Sequence, residues 1–229
     1  MNPPVRVRLH LLGRLELFFD QDSAPVRITN RKARALLAYL AMAPGHAARR
    51  EELAALLWGV AASAQPPSDA DWDALQDGAI VLFRHANAPG GGDPPGLKIG
   101  DCSTQRNLDD AGRAQARRIG ERFRDRRIRV GAVLTSQWCR TRETAELAFP
   151  GQARDDPSFN SFFGDSARRE TQTADAKATL SRWRGPGVLV VTTHQVNITA
   201  LTGVFPGSAE GVVLRPRGDG VEVVGRLAP

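Results

Sequence analysis

The sequence predicts an α/β protein whose mostly parallel sheet is covered by helices on both faces, in three layers. Between residues 68 and 229, short β-branched runs alternate with segments of helical spacing, an order typical of parallel sheets. Two of the runs, Ile80–Arg84 and Val188–Thr193, each end just before a histidine. Residues 1–59 carry their own strand and helix signals and are predicted to form a separate small β–α segment.

The elements of the larger part follow from periodicity and from signals at their ends. Asp109 is a favourable helix N-cap, and Ala116, Ile119 and Phe123 follow it at helical spacing. Prolines and glycines punctuate the later segments. Strands are predicted at residues 80–84, 130–134, 188–193, 212–214 and 221–227, and helices at residues 71–75, 109–126, 141–149, 174–183 and 197–201.

Alternating apolar residues predict two strands in the N-terminal part, at residues 5–11 and 15–19. A helix with one apolar face follows. That face is formed by Ala33, Leu36, Leu37 and Leu40. A shorter helix is predicted at residues 53–58. Residues 60–67 are mostly small and include two prolines, so they are predicted to be a linker.

The composition indicates a substantial core and an excess of positive charge. The chain has 229 residues, 41% of them hydrophobic, and a formal net charge of +6. Its apolar stretches are shorter than the roughly 20 residues that a membrane-spanning helix needs. Only three of the 31 basic residues are lysines, and arginine pairs bidentately with phosphate. The arginines are nevertheless spread along the whole chain, as a general compositional bias would spread them.

Histidines and arginines stand at the ends of the predicted strands. Arg84 and His85 close the first strand, and His194 follows Val188–Thr193. Arg140 comes shortly after the strand at 130–134. Groups just past the carboxyl ends of parallel strands converge on one crevice. Two imidazoles and two guanidiniums brought together there predict a site that binds and transfers a phosphoryl group.

Four short motifs carry a family resemblance over roughly residues 78–227. They are Arg84-His85, the segment 108–116, the segment 136–140 with Thr144-Ala145, and Thr193-His194. In this order and spacing the sequence resembles the histidine phosphatase superfamily, which implies a phosphoglycerate mutase-like fold. The resemblance departs at Ala86, where a glycine is common, and at Gln137, where a proline is usual.

The resemblance implies a metal-independent phosphatase without a cofactor. His85 would be the nucleophile and would form a phosphohistidine. Arg84 and Arg140 would bind the nonbridging phosphate oxygens, and His194 would donate a further hydrogen bond to them. The substrate class implied is a small phosphorylated molecule or a phosphoprotein, as a phosphomonoester or a phosphohistidine.

The proton donor for the leaving group is less evident from the sequence. The carboxylates between the second arginine and the second histidine are candidates, namely Asp155, Asp156, Asp165 and Glu170. Asp165 is favoured because Phe162 and Phe163 precede it, as expected in a pocket wall. Arg106 and Asn107 are possible substrate contacts. The glycine-rich loop at residues 90–96 lacks the features of a P-loop and is predicted to lie at the rim.

The N-terminal part resembles the beginning of a winged-helix DNA-binding domain of the antibiotic regulatory protein and response-regulator type. Residues 31–40 and 50–58 carry that resemblance. The recognition helix, which would enter the major groove, has no counterpart before the linker. The alternative function is therefore a DNA-binding regulator with a phosphate-sensing or weakly catalytic C-terminal domain, although DNA binding by the truncated segment is not expected.

Two cysteines and one apolar stretch bear on the cellular compartment. Cys102 and Cys139 either form a disulfide, which would require export, or remain reduced thiols. Residues 53–64 resemble the end of a secretory signal with an A-x-A site, although far from Met1. A start at Met1 predicts a cytoplasmic protein, and a downstream start predicts an exported one.

Overall fold

The computed structural model describes residues 7–10, 16–19, 24, 26, 28–29, 31–42, 53, 69–218 and 220–228. The chain divides into two compact units, Met1–Ser63 and Ala64–Pro229.

The first unit contains a strand pair and a helix. Strands β1 (Val7–His10) and β2 (Glu16–Phe19) pair antiparallel, with Val7 opposite Phe19. Helix α1 spans Arg31–Met42, as the apolar face of that segment predicts. Apart from Leu53, the expected second helix at 53–58 and the linker at 60–67 lie outside the described residues.

The second unit is built on a six-stranded sheet of β3 (Ile80–Arg84), β4 (Val130–Thr135), β5 (Ala153–Asp155), β6 (Val188–Thr193), β7 (Gly211–Arg217) and β8 (Gly220–Leu227). Their order across the sheet is β5-β4-β6-β3-β7-β8. The first four of these are parallel, whereas β7 pairs antiparallel with both β3 and β8. This arrangement confirms the mostly parallel α/β sheet.

Four α-helices accompany the sheet. They are α2 (Asp110–Asp125), α3 (Cys139–Ala148), α4 (Arg169–Ser181) and α5 (Gln195–Thr202). Short 3-10 helices precede or connect them, and the longest of these spans Asp69–Ala74. Within the described residues, no helix is both long and apolar enough to cross a membrane.

The core lies in two layers, one on each face of the sheet. Alternate residues of β3 point to opposite faces, so Val81 and Phe83 pack with α2 and α3, whereas Ile80 and Leu82 pack with Leu180 of α4. Every residue of the central strand β6 is buried. This burial explains why β6 is almost entirely apolar and β-branched.

In the larger unit, the predicted elements match the structure apart from some of their ends, one short strand and the helix expected at residues 71–75, which is the 3-10 helix Asp69–Ala74. Asp109 caps α2 by accepting a hydrogen bond from the Gly112 amide, as expected. Helix α3 begins at Cys139 and therefore includes Arg140, which the sequence had placed before the helix. The short edge strand β5 was not predicted, because three half-exposed residues give little periodic signal.

Candidate active site

The two strand-end histidines lie side by side because β3 and β6 are neighbours in parallel register. Arg84 pairs with Thr193 across that register, and the His85 amide donates to the Thr193 carbonyl at 2.9 Å. The residue that follows each strand is a histidine, so the two histidines lie at the same edge of the sheet. The ring centroids of His85 and His194 lie 5.6 Å apart, and both rings are buried.

The His85 ring is held in one tautomer. Its Nδ1 lies 2.8 Å from the Ala86 carbonyl oxygen, which can only accept, so Nδ1 carries the proton. The Nε2 lone pair is thereby left available for attack. Burial lowers the pKa of His85 to about 3, with the nearby Arg140, Arg84 and Arg106 charges contributing, although the bond to Ala86 opposes the shift.

The His194 ring is fixed at both nitrogens. Arg140 donates from Nη2 to His194 Nδ1 at 3.3 Å, so the neutral ring carries its proton on Nε2. That nitrogen lies 2.8 Å from Ser136 Oγ, and Ser136 in turn lies 3.4 Å from Asn160 Oδ1. Burial, and then the Arg140 charge, hold the pKa of His194 well below its ordinary value.

Arg140 lies in the first turn of α3, with only 3% of its side chain exposed. Its Nη1 donates to Asp93 Oδ1 at 2.6 Å. The same carboxylate accepts at Oδ2 from Trp138 Nε1, at 3.1 Å. Arg140 Nε is buried and has no hydrogen-bond partner. A guanidinium in this position, facing two imidazoles, offers donors to an oxyanion.

Two further guanidiniums flank the histidines. Arg84 Nη1 donates to the Pro206 carbonyl at 3.1 Å. Arg106 Nη1 donates to the carbonyls of Ala88 and Gly90, each at 2.6 Å. Burial, and then the Arg140 charge, lower the pKa of Arg106. Three guanidiniums around two neutral imidazoles make this crevice strongly electropositive.

The structure does not bring Asn107 and Asp165 into this cluster. Asn107 donates to the carbonyls of Cys102 and Gln105, so it holds its own loop together. Asp165 is exposed, and its side chain makes no capping bond to the short turn that follows it. Aromatic neighbours misled the prediction, because Phe162 is buried whereas the Asp165 carboxylate faces solvent.

The remaining acid candidates serve structural roles or lie at the surface. Asp155 forms an ion pair with Arg142. Asp156 caps the 3-10 turn at Pro157–Phe159 by accepting from the Ser158 amide. Glu170 is exposed in the first turn of α4. The carboxylate that does reach the site is Asp93, from the glycine-rich loop.

A disulfide joins Cys102 to Cys139. Cys139 is the first residue of α3 and immediately precedes Arg140. The buried Gln105 accepts from the Cys139 amide at 3.0 Å and donates to the Lys98 carbonyl. The loop that carries Arg106 is therefore fixed to the start of the helix that carries Arg140, by one covalent bond and one hydrogen bond.

Several site residues were not identified from the sequence. Thr144 accepts from the Ala86 amide and donates to the Arg140 carbonyl, so it joins the ends of β3 and α3. Ser136 and Asn160 support His194. Ser136 and Thr144 stand within the resembling motifs, and that position was the available signal. Asp93 lies in the glycine-rich loop and Asn160 in another loop, and no motif marks either residue as part of a site.

The described residues contain no cluster of three or more histidine, cysteine or acidic side chains that could hold a metal ion. The site is instead made of imidazole and guanidinium groups, which suit an anion. Imidazole and guanidinium groups gathered at the strand ends of an open α/β sheet form an arrangement that suits the binding of a phosphoryl group.

Comparison with known families agrees with that interpretation. Residues 80–187 match the family model of the histidine phosphatase superfamily, branch 1. The match includes His85 and Arg140 and ends before His194, whose place beside His85 is given by the structure. The match supports the assignment of this domain to that superfamily. It leaves the winged-helix resemblance of residues 1–59 without support. No significant match is found among curated proteins.

Two similar solved structures share the fold. The product of an open reading frame from Mycobacterium tuberculosis is 15% identical, with 66% of this chain and 97% of that chain covered and a TM-score of 0.50. A structure described as mycobacterial hydrolase 1 is also 15% identical, with 67% and 100% covered and a TM-score of 0.50. A protein assigned as the phosphohistidine phosphatase SixA from Agrobacterium tumefaciens is 25% identical, with 67% and 99% covered and a TM-score of 0.45. The fold is phosphoglycerate mutase-like, as predicted.

Proposed function

We propose that this protein is a phosphatase that hydrolyses its substrate through a covalent phosphohistidine on His85. The observation that carries the proposal is the state of His85. Its Nδ1 is committed to the Ala86 carbonyl, its pKa lies far below neutrality, and the charges of Arg140, Arg84 and Arg106 act on its ring. A neutral imidazole beside cationic oxyanion ligands is the combination that nucleophilic phosphoryl transfer needs.

Substrate binding is assigned to the cationic groups around the His85 ring. Arg84 and Arg140 bind the nonbridging oxygens, and Arg106 adds positive charge at the mouth. In the ligand-free protein, His194 Nδ1 accepts from Arg140. A bound phosphate dianion favours the imidazolium form of His194, and the ring then donates from Nδ1 to a phosphate oxygen. The group transferred is a phosphoryl group, and the substrates are phosphomonoesters or phosphohistidines.

The reaction takes two displacements. His85 Nε2 attacks phosphorus, and the bond to the leaving atom breaks. Water then attacks the phosphohistidine, the N–P bond breaks, and the lone pair returns to Nε2 while inorganic phosphate forms. The arginines neutralise the negative charge of the phosphoryl oxygens throughout both steps. This chemistry uses residues of 68–229 alone and needs no metal ion.

The test is the hydrolysis of p-nitrophenyl phosphate by the full chain in the presence of EDTA. His85→Ala removes the nucleophile, so we expect kcat to fall by at least about 10³-fold, a size typical of a lost covalent nucleophile. Alkaline quenching during turnover, followed by peptide mass spectrometry, should find the phosphoryl group on His85. Alkaline conditions are chosen because phosphohistidine hydrolyses in acid.

Exposed Asp175 provides a matched control on α4. Asp175→Asn should keep the wild-type rate, and a parallel fall would point to a preparation that is inactive for other reasons. Wild-type turnover by His85→Ala, or phosphate trapped on another residue, would contradict the proposal.

A further inference from the structure

We propose that Asp93 is the proton donor for the leaving oxygen, which makes alkyl phosphomonoesters the substrate class of this site. The inference rests on the proposed phosphohistidine mechanism. It assigns a catalytic residue in a loop that the sequence had placed only at the rim.

Asp93 binds two parts of the site with its two oxygens. Oδ1 accepts from Arg140 Nη1 at 2.6 Å, and Oδ2 accepts from Trp138 Nε1 at 3.1 Å. Arg140 also contacts His194, so one guanidinium joins the loop carboxylate to the histidine pair. Of the described acidic side chains, Asp93 is the one with a hydrogen bond to Arg140 or to Trp138.

Asp93 lies on the outer side of the pocket. Its side chain is 19% exposed, against 3% for that of Arg140, and His85 is buried at the end of β3. An in-line displacement places the leaving oxygen opposite the attacking Nε2. Because His85 is the more deeply buried group, that oxygen points outward, toward the more exposed side of the site where Asp93 lies.

The loop that carries Asp93 is fixed at its base. Arg106 donates to the carbonyls of Ala88 and Gly90. Gly90 and Gly92 have φ angles of 97° and 71°, which L side chains rarely adopt, so the turn needs glycine. A Cβ on Gly92 would lie 3.4 Å from the ring of Phe163. The loop therefore rests against Arg106 on one side and Phe163 on the other.

Phosphate binding changes the surroundings of Asp93. A phosphate oxygen competes with Oδ1 for Arg140 Nη1, since both are anionic acceptors. Trp138 Nε1 is a neutral donor and continues to donate a hydrogen bond to Oδ2. Asp93 then has lost its ion pair and lies beside a dianion, and both changes favour the protonated carboxyl. The binding of substrate thus prepares the acid that the next step uses.

The proposed step conserves atoms and charge. His85 Nε2 forms a bond to phosphorus while the P–O bond to the leaving group breaks. The electron pair of that bond remains on the leaving oxygen, which takes the proton from Asp93, and an alcohol departs. The Asp93 carboxylate then accepts a proton from the attacking water, and the N–P bond breaks. The cycle ends with inorganic phosphate and a protonated Asp93, which loses its proton to solvent when phosphate leaves.

The leaving group provides the test. Alkoxides are poor leaving groups and need the proton, whereas p-nitrophenolate leaves more readily without it. In Asp93→Asn, kcat/KM for glycerol 2-phosphate should fall about 10²–10⁴-fold, the usual contribution of a general acid. The fall for p-nitrophenyl phosphate should be at least about tenfold smaller. Asp175→Asn again serves as the matched control.

Three measurements keep the outcomes distinct. Activity retained by His85→Ala would show that the proposed mechanism itself fails, whatever Asp93 does. Equal loss on both substrates in Asp93→Asn, with His85→Ala inactive, would show that Asp93 only occupies or orders Arg140, and would overturn the inference. Asp93→Glu keeps a carboxyl on a longer chain and should recover part of the glycerol 2-phosphate rate. No recovery in a folded Asp93→Glu protein, judged by its unfolding temperature, would also count against the inference.

Discussion

At the scale of single residues, the site depends on two buried histidines that are held in different tautomers. His85 donates a hydrogen bond from Nδ1 to a backbone carbonyl, whereas His194 accepts one at Nδ1 from a guanidinium. In both, burial disfavours the imidazolium form and the surrounding arginines add to the effect. In the proposed mechanism, neutrality at His85 preserves the nucleophile, and the neutral His194 can take up a proton from solvent when a phosphate dianion binds beside it.

The depressed pKa of His85 makes a prediction about stability. The unfolded chain binds a proton at this residue below about pH 6.5, whereas the folded chain binds it only near pH 3. Folding is therefore penalised progressively as pH falls from 6.5 towards 3. His85→Asn removes this contribution, so its loss of unfolding free energy between pH 7 and pH 4 should be smaller than that of the wild type by up to about 3 kcal/mol.

Urea unfolding at the two pH values measures this difference. The carboxylates titrate in both proteins, so their contribution is largely removed in the comparison. Parallel pH dependence of the two proteins would show that His85 is not held in the neutral state.

The residue scale also shows why the sequence favoured a carboxylate that the structure does not place beside Arg140. The resemblance directed attention to the segment between Arg140 and His194, and the phenylalanines before Asp165 favoured it. The structure places Asp165 in solvent and Asp93 on Arg140. Which loop residue faces a site is decided by tertiary contacts, here those of Trp138 and Arg106. These contacts join residues far apart in the sequence and leave no local pattern.

At the scale of elements, prediction succeeded because the signals are local. Strand β6 is apolar because both of its faces are buried, and α2 begins where Asp109 can cap it. The proximity of the two histidines could be predicted from the sequence, because neighbouring parallel strands end at the same edge of the sheet. The start of α3 was predicted too late, since Trp138 at its N-cap makes no side-chain capping bond that a sequence could signal.

The close approach of α2 to the end of β3 gives a second prediction. A Cβ on Gly112 would lie 2.1 Å from the Asn87 carbonyl oxygen, so alanine cannot fit without movement of backbone. At an exposed helix position this change would stabilise by about 1 kcal/mol. Here overpacking dominates, and Gly112→Ala should lower the free energy of unfolding by about 1–3 kcal/mol.

Phosphatase activity should fall with it, because Asn87 is two residues from His85 and its displacement moves the strand end. A Cβ on Gly91 would meet no atom within 4 Å, so Gly91→Ala is the control for unfolding. An unfolding free energy for Gly112→Ala equal to or above that of the wild type would show that the two backbones are not in contact.

At the scale of the larger unit, two segments that supply site residues are covalently joined. The disulfide between Cys102 and Cys139 closes a loop with a sequence separation of 37 residues. That loop contains the whole of α2 and β4, together with Arg106. Its ends lie at the loop before α2 and at the first residue of α3, directly beside Arg140.

The disulfide that closes this loop is expected to stabilise the folded protein. Loop-closure entropy for this separation corresponds to about 4 kcal/mol of stabilisation, through restriction of the unfolded chain. Cys102→Ser combined with Cys139→Ser should therefore lower the free energy of unfolding by about 2–4 kcal/mol.

Urea unfolding with and without a reductant measures the effect, because reductant should destabilise the wild type and leave the double variant unchanged. The Gln105 bond to the Cys139 amide is a second link between the same two segments, so we expect the reduced protein to keep most of its phosphatase activity under conditions where it stays folded. Equal unfolding curves for the oxidised wild type and the double variant would mean that the two cysteines are not joined in solution.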